Sequence, residues 1–343
     1  MTAQGVRPAR WLGCIGMVLG LAGCSDVTRP YTSGSATDLG GAWGSSGSDV
    51  YVTGLRMDTG GWHSLLLHFD GRRWSTSLPG TTAYLTSMWG DSTDQFVVGF
   101  IPFEGGRILH RRNDGGRWST EATEAAVELF GVWGSSPTDV FAVGDTRLGS
   151  GGAILHYDGV SWSAQVDTVA VRAVWGSSAS DVFAVGTDIL HYDGRAWSMQ
   201  VAGAGRYFFG VWGSSAGDAY AVGGNGLILH YGGGRWVTQA SGTTSILDGV
   251  WGTSASDVFA VGYGGTILHF DGSGWRSQPS GTTRDLQGVW GSSGRDVYAA
   301  GYEGTLLHYD GSNWSTVRLQ SPFGPPGRPW SAGPTRSGST PGR

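Results

Sequence analysis

Seven histidines recur along the chain, and histidine is the side chain that most often binds a metal or moves a proton near neutral pH. They are His68, His110, His156, His191, His230, His269 and His308. A metal or catalytic site needs a few different groups that converge on one point, whereas these histidines repeat one arrangement. An aspartate recurs with each of them, so we predict a structural hydrogen bond in every repeat, with no metal and no cofactor. The aspartates are Asp49, Asp94, Asp139, Asp181, Asp218, Asp257 and Asp296.

Fourteen tryptophans keep the same period, and their rings could stack on a sugar or a cofactor. One set precedes a glycine: Trp43, Trp89, Trp133, Trp175, Trp212, Trp251 and Trp290. The other set follows each histidine: Trp74, Trp118, Trp162, Trp197, Trp236, Trp275 and Trp314. Burial removes on the order of 150 to 250 Å² of each ring from water. Packing therefore explains a tryptophan that every repeat contains.

Each repeat holds four short runs of strand-forming residues, separated by Gly, Ser and Asp. The clearest unit begins at Leu247 with LDGVWGTSASDVFAVGYGGTILHFDGSGW. Both sides of its first run are apolar, which is typical of a sheet covered on both faces. Four strands in about 40 residues are typical of a propeller blade. We predict an all-β, seven-bladed β-propeller with four antiparallel strands per blade; an open solenoid would need polar caps, and a double-sheet sandwich predicts no strict period.

The strings L-x-G-V-W-G, D-V-F-A-V-G and G-x-I-L-H-Y-D-G-x-x-W resemble the repeats of photosystem-II-assembly-factor-like propellers and, more distantly, the Asp-box (BNR) repeats of sialidase-like propellers. The interval from Asp310 to Trp314 is one residue shorter than in an Asp box. The pairing of histidine with aspartate resembles the network inside WD-repeat blades. The resemblance covers residues 39–320 and implies a fold, since its members range over assembly factors, lectin-like binders and hydrolases.

Function is expected where the repeat is broken. Blades one to three have longer segments between their second and third strands, and the connections after blades two and four add charged and aromatic residues. Loops of mixed aromatic and charged character suit a binding surface. The candidate binding residues are Trp62, His63, Phe103, Glu104, Glu128, Arg147, Arg206 and Tyr207. Loop variation without function explains the same departures, and both interpretations stay open.

Common catalytic signatures are absent, among them G-x-S-x-G, H-E-x-x-H and a phosphate-binding loop. An Asp-Gly pair follows the histidine in five repeats, and we predict that it forms a hairpin turn and supplies no general acid. We predict no catalytic residue and a non-enzymatic binding or assembly scaffold. The alternative is a secreted carbohydrate-active enzyme, glycosidase-like and using Glu104 or Glu128, or a glycan-binding lectin.

The first 24 residues are typical of a secretory signal peptide, with two arginines, an apolar run over residues 11–21 and small residues before a cysteine. The run is shorter than the roughly 20 residues of a membrane-spanning helix. Its end, Leu21-Ala22-Gly23-Cys24, resembles the bacterial lipobox, which implies cleavage before Cys24 and its acylation, with palmitate as an expected chain. Ser25 follows instead of an acidic residue, which by the same resemblance favours the outer membrane or cell surface over the inner membrane.

The charge excludes one class of partner. Five of the 22 basic residues lie in the leader and the tail, which contain no acid, so residues 24–320 carry 17 basic and 27 acidic residues, a formal charge of −10. A field of that sign repels nucleic acid. We predict a signal peptide over residues 1–23, a lipidated Cys24 and linker to residue 38, the propeller over 39–320 and a disordered Pro/Gly-rich tail over 321–343. The expected state is a monomeric lipoprotein of the cell envelope that binds an envelope protein or a glycan.

Overall fold

A computed structural model describes residues 36–58, 60–77, 80–112, 116–121, 127–146, 151–203 and 205–319. The predicted signal peptide, Cys24, Arg147 and the predicted tail lie outside these residues. The described residues form 28 β-strands in seven antiparallel sheets of four strands each, which confirms the predicted propeller. Within this part of the chain, no helix is long and apolar enough to cross a membrane.

Each blade uses four consecutive strands, and the first strands of neighbouring blades contact one another around the centre of the ring. The strands are, blade by blade, β1 (Ala36–Ser46), β2 (Asp49–Asp58), β3 (Gly61–Phe69), β4 (Trp74–Ser77); β5 (Tyr84–Gly90), β6 (Asp94–Ile101), β7 (Gly105–Arg112), β8 (Ser119–Glu121); β9 (Glu128–Ser136), β10 (Asp139–Asp145), β11 (Gly152–Tyr157), β12 (Trp162–Val166); β13 (Val171–Ser178), β14 (Asp181–Gly186), β15 (Ile189–Tyr192), β16 (Trp197–Val201); β17 (Phe208–Ser215), β18 (Asp218–Gly223), β19 (Ile228–Gly232), β20 (Arg235–Gln239); β21 (Leu247–Ser254), β22 (Asp257–Gly262), β23 (Thr266–Phe270), β24 (Trp275–Gln278); β25 (Leu286–Ser293), β26 (Asp296–Gly301), β27 (Leu306–Tyr309) and β28 (Trp314–Thr316).

The tryptophan before each glycine connects neighbouring blades. In six of the seven blades that glycine lies directly against the tryptophan ring of the preceding blade. A Cβ atom on Gly252 of blade six, for example, would lie 2.8 Å from the ring of Trp212 of blade five. The paired Trp-Gly is thus explained by packing, because the small residue receives the large one.

The first strand of every blade is bulged near its start. In blade six, Leu247 pairs with Gly262 and Gly249 with Val261, which leaves Asp248 as the extra residue. A Cβ atom on Gly262 would lie 1.9 Å from the carbonyl oxygen of Ile246, so the close approach of the two strands requires glycine there. A bulge redirects a side chain, and here each bulge lies near the start of the first strand, which is the strand closest to the centre of the ring.

Blades seven and one close the ring through side-chain packing. Leu39 and Val52 of blade one share a core with Tyr298 and Leu306 of blade seven. The edge of Trp74 meets the ring of Tyr298 at a centroid distance of 5.8 Å and an angle of 75°. Among the described strands, none is exchanged between blades.

The first blade begins earlier than the sequence predicts. Residues 36–38, predicted as linker, form the start of β1 and pair with residues 55–57 of β2. The physical reason is the long hairpin of blade one, because β2 continues to Asp58 and offers backbone partners beyond the length of the other blades.

Candidate functional site

The seven repeated histidines lie on the third strands and bond to the aspartates that begin the second strands. Their Nε2 atoms lie 2.5 to 2.8 Å from the aspartate Oδ1 atoms. Each imidazole also faces the aromatic ring two positions after its aspartate, with centroids 4.1 to 4.6 Å apart. This is the pairing that the sequence analysis predicts, and the ring contact gives each histidine a second structural role.

A hydroxyl completes this group in six blades. In blade six, Thr253 donates to Asp257 Oδ2 at 2.5 Å while His269 Nε2 lies 2.7 Å from Asp257 Oδ1. In a hydrolase triad the histidine lies between the hydroxyl and the carboxylate. Here the carboxylate lies between them, so the histidine cannot take the proton of the hydroxyl.

The tryptophans after the histidines also pack between blades. In six blades the ring meets the aromatic ring of the preceding blade edge-on, at 5.4 to 6.2 Å. Blade two differs, since Arg111 occupies the position after its histidine and its guanidinium lies 4.9 Å from the centroid of the Trp118 ring. These rings are used within the protein, as a packing role requires.

The aspartates of the Asp-Gly pairs cap turns. Asp310 Oδ1 accepts the backbone N–H groups of Ser312 and Asn313, both at 2.8 Å, and four other blades show the same kind of turn. These backbone hydrogen bonds lower the pKa of the Asp310 carboxyl. In Asp271 the hydroxyl and backbone N–H of Ser273 lower the pKa to about 2. A carboxyl group ionised at neutral pH is unsuited to donate a proton.

Phe103 and Glu104 lie in the predicted loop between β6 and β7. The placement of Trp62 and His63 in a loop was wrong, because the long hairpin of blade one continues as strand and pairs them with Met57 and Arg56 of β2. Trp62 is 40% exposed and Phe103 is 79% exposed. Phe103 has φ 70°, a left-handed conformation that is rare for a large side chain. His63 Nε2 lies 3.1 Å from Asp58 Oδ1, and Glu104 accepts from Arg107 at 2.8 Å.

Two predicted loop residues are less exposed than the sequence analysis predicts. Glu128 is 6% exposed and begins β9, where it pairs with Asp145, so its assignment to an exposed connection was wrong. Tyr207 is half-buried, with its hydroxyl 2.8 Å from Asp145 Oδ2; the strand ends of blades three and five enclose it. Arg206 beside it is exposed.

A set of residues that the sequence analysis did not single out lies at the centre of the ring. It consists of the extra residues of the bulges in blades two to seven, which we call the bulge residues: Thr86, Phe130, Arg172, Phe209, Asp248 and Gln287. Blade one has Gly40 and Gly41 at its bulge. Tyr84 of blade two donates to Gln287 Oε1 of blade seven at 2.7 Å. Blade one lies between those two blades, so the contact crosses the centre. The sequence feature that could have identified the bulge residues is the variable position x of L-x-G-V-W-G.

Arg172 is the cationic bulge residue, and its charge is balanced by its neighbours. Its Nε lies 2.8 Å from Asp145 Oδ2 and 3.1 Å from the hydroxyl of Tyr207. Its guanidinium carbon lies 3.8 Å from the centroid of the Phe130 ring. Burial raises the pKa of the Asp145 carboxyl, while Arg172 and Tyr207 oppose the shift. Residues from blades three, four and five are joined here.

Asp248 is the anionic bulge residue, and it makes no hydrogen bond or ion pair with the described residues. Protein surrounds its carboxyl closely, although it keeps partial access to water along the ring centre. Burial raises the pKa of this carboxyl to about 7; Arg172 opposes the shift and Asp285 adds to it. Burying a carboxylate without a partner is costly.

Comparisons with known proteins bear on the fold. The chain is similar to the structure of YCF48 bound to D1 peptide, with TM-score 0.61 and 16% identity over 82% of this chain and 98% of the other. It is similar to YCF48 from Cyanidioschyzon merolae, with TM-score 0.61 and 14% identity over 83% and 98%. The WD40 β-propeller domain of Doa1 gives TM-score 0.62 and 12% identity over 82% and 95%. The chain shares their propeller fold.

These likenesses support the resemblance to photosystem-II-assembly-factor-like propellers at the level of the fold. No family model and no curated protein matches the sequence.

Two further observations concern ligands. In the described part of the chain, no group of three or more His, Cys, Asp or Glu side chains could hold a metal ion. A cleft of about 680 Å³ opens in blade six between the β22–β23 turn and the connection after β24. Its lining consists of Gly, Ser, Thr, Gln and Pro, with no charged side chain, so it offers a polar groove without acid–base groups.

Proposed function

We propose that this protein is a non-enzymatic binding or assembly scaffold, anchored to the bacterial cell envelope through lipid on Cys24. Its ligand, a protein of the envelope, is held on the face that carries the loops between second and third strands and the connections between blades. We call this the loop face. The bulge residues lie at its centre, because each bulge lies where the first strand leaves that face.

One contrast carries the proposal: the repeated chemistry is used inside the blades, whereas the unlike side chains collect on the loop face. The histidines, their aspartates and both tryptophan sets bind other parts of the propeller. Trp62, Phe103 and the bulge residues differ from blade to blade. A propeller that binds a peptide has a solved precedent in YCF48 bound to D1 peptide.

The test is chemical crosslinking of the full chain in cells of its source, followed by mass spectrometry of the recovered partners. We expect the double variant Trp62→Ala/Phe103→Ala to lower recovery of one crosslinked protein at least about fivefold, because exposed aromatic anchors dominate interfaces. The matched control is Val160→Ala, which removes an 87% exposed apolar side chain in a β11–β12 turn on the opposite face. Equal recovery with all three proteins would exclude the loop face as the binding surface.

Lipid anchoring is tested by Cys24→Ser. We expect the exported variant to move from the detergent phase to the aqueous phase in a phase-partition assay, because stable membrane binding needs two or more acyl chains. Cys14→Ser is the control, since Cys14 is the other cysteine of the chain and should leave partitioning unchanged. A Cys24→Ser protein that stays in the detergent phase contradicts the lipobox assignment, and so does one without loss of lipid mass.

A carbohydrate-active enzyme has no comparable support. Of its two candidate acids, Glu104 is exposed and bonded to Arg107, and Glu128 is buried. Recovery of a glycan in place of a protein would favour the lectin alternative.

A further inference from the structure

We propose that the centre of the loop face receives a cationic side chain, arginine or lysine, from the partner polypeptide, with Asp248 as its counter-ion. This inference rests on the proposed function and specifies the chemistry of its ligand. It begins from the carboxylate of Asp248, which has no bonded partner among the described residues. A carboxylate in such surroundings is stabilised by an opposite charge.

No arginine of this face bonds to Asp248. Arg172, whose charge acts on Asp248 from a distance, is held by Asp145 and Tyr207, and Arg206 is exposed and not among the charges that act on Asp248. The other pairs on the face are Arg56 with Asp58, Arg107 with Glu104 and Arg284 with Glu303. Each of these cations is matched by its own acid, so negative charge remains at the centre.

Two more carboxylates add negative charge to this face, and that of Asp285 acts directly on Asp248. Asp285 accepts the backbone N–H of Gly264 at 2.7 Å, and Asp38 accepts the backbone N–H of Glu303 at 3.1 Å. Neither forms an ion pair with a described cation. The field selects a cation over an anion, and it favours a partner with basic residues because complementary charge also accelerates encounter.

Two tyrosines whose phenols sense these carboxylates favour an organic cation over a bare metal ion. Tyr302 and Tyr84 lie close enough to Asp248 and Asp38 for these charges to help raise the pKa of both phenols, after burial as the main cause. Rings of this kind bind guanidinium and ammonium groups through their faces. A metal would need several ligands converging on one point, and the described residues form no such group.

The direct test uses two small probes, N-acetyl-arginine amide and its neutral isostere N-acetyl-citrulline amide, titrated into the full chain and followed by NMR line broadening. We expect the arginine probe to bind at least about tenfold more tightly than the citrulline probe. Asp248→Asn should abolish that preference without loss of the fold, because no hydrogen bond within the described chain depends on the Asp248 side chain. The matched control is Asp188→Asn, on the same face, whose carboxylate accepts the N–H of Gly203; it should keep the preference.

The preference should also depend on pH. The charges of Arg172 and Asp285 act on Asp248, and that of Asp248 acts on Tyr84 and Tyr302. A carboxylate must be ionised to hold a cation. Affinity for the arginine probe should therefore rise between pH 6 and pH 8, and the Asn variant should show no such rise. Equal binding of both probes by the wild type overturns the inference. The inference is also overturned if calcium ions bind at Asp248 and the arginine probe cannot displace them.

Failure here is distinguishable from failure of the proposed function. If the Trp62→Ala/Phe103→Ala variant loses the crosslinked partner while Asp248→Asn keeps it, the scaffold stands and the cationic contact does not. If both keep it, the loop face itself is excluded.

Discussion

Phe259→Ala should lower the free energy of unfolding by about 3 to 5 kcal/mol, the range for removing a fully buried aromatic side chain. Phe259 is 0% exposed. Its ring faces His269 at 4.2 Å and receives the edge of Trp314, from the next blade, at 6.2 Å. The substitution thus leaves a cavity and removes a contact inside one blade and another between two blades. Equilibrium unfolding in urea at constant pH measures the change.

We call the edge-on contact between this ring and the tryptophan of the next blade the interlock. Control variants compare its contribution to stability with that of the repeated histidines and with that of an exposed side chain. His191→Ala, His230→Ala and His269→Ala should each cost about 1 to 3 kcal/mol, since each leaves a half-buried aspartate without one partner. Val237→Ala, at a 47% exposed position, should change the free energy by less than about 0.5 kcal/mol. A Phe259→Ala effect no larger than that of Val237→Ala contradicts the interlock. A histidine variant that keeps full stability but loses binding contradicts the structural role of that histidine.

The same interlock explains how seven separate sheets form one ring. The edge-on contact recurs in six blades, including the seam, where Trp74 meets Tyr298. Because each contact joins a blade to its neighbour, closure needs no exchanged strand. The sheets of the described residues accordingly consist of consecutive strands only.

The fold was accessible from the sequence because its determinants are local and repeated. His269, Asp257 and Trp275 lie within one unit of about 40 residues, and six other units repeat them in the same order. Their partners are fixed by strand pairing inside the blade, as in Phe259 opposite His269. A pattern read seven times averages out the variation of any single unit.

The arrangement of side chains at the centre of the ring could not be predicted from the sequence in the same way. From strand alternation alone, the side chain of Asp248 is expected to point to one of the two covered faces of its sheet. Its actual direction depends on a bulge, which exists only in the register between β21 and β22. Its neighbours Arg172 and Asp285 come from other blades, so no local pattern joins them. Glu128 was misplaced for a related reason, since its pairing with Asp145 decides where β9 begins.

Asp248→Asn should stabilise the protein at and above pH 7, and this gain should disappear as the pH falls. The pKa of Asp248 is about 7 in the folded protein, raised by burial, against 3.8 for an aspartate fully exposed to water, as in the unfolded chain. Between these values the unfolded chain has released this proton and the folded chain retains it, so wild-type stability falls as the pH rises.

One pKa unit corresponds to ~1.4 kcal/mol, and partial access to water reduces the effect of the full shift. We therefore expect the variant to exceed the wild type by about 1 to 3 kcal/mol at pH 8 and by at most about 0.5 kcal/mol at pH 4, where the folded carboxyl is protonated and that of the unfolded chain is about half protonated. Asp145, whose pKa burial also raises, titrates in both proteins, and its contribution cancels in the difference. The measurement is the free energy of unfolding of both proteins at pH 4, 5, 6, 7 and 8, with Asp188→Asn as the control. A difference that does not grow with pH would show that Asp248 is ionised in the folded protein and that a group of the chain itself compensates its charge, which contradicts a role as counter-ion for a partner.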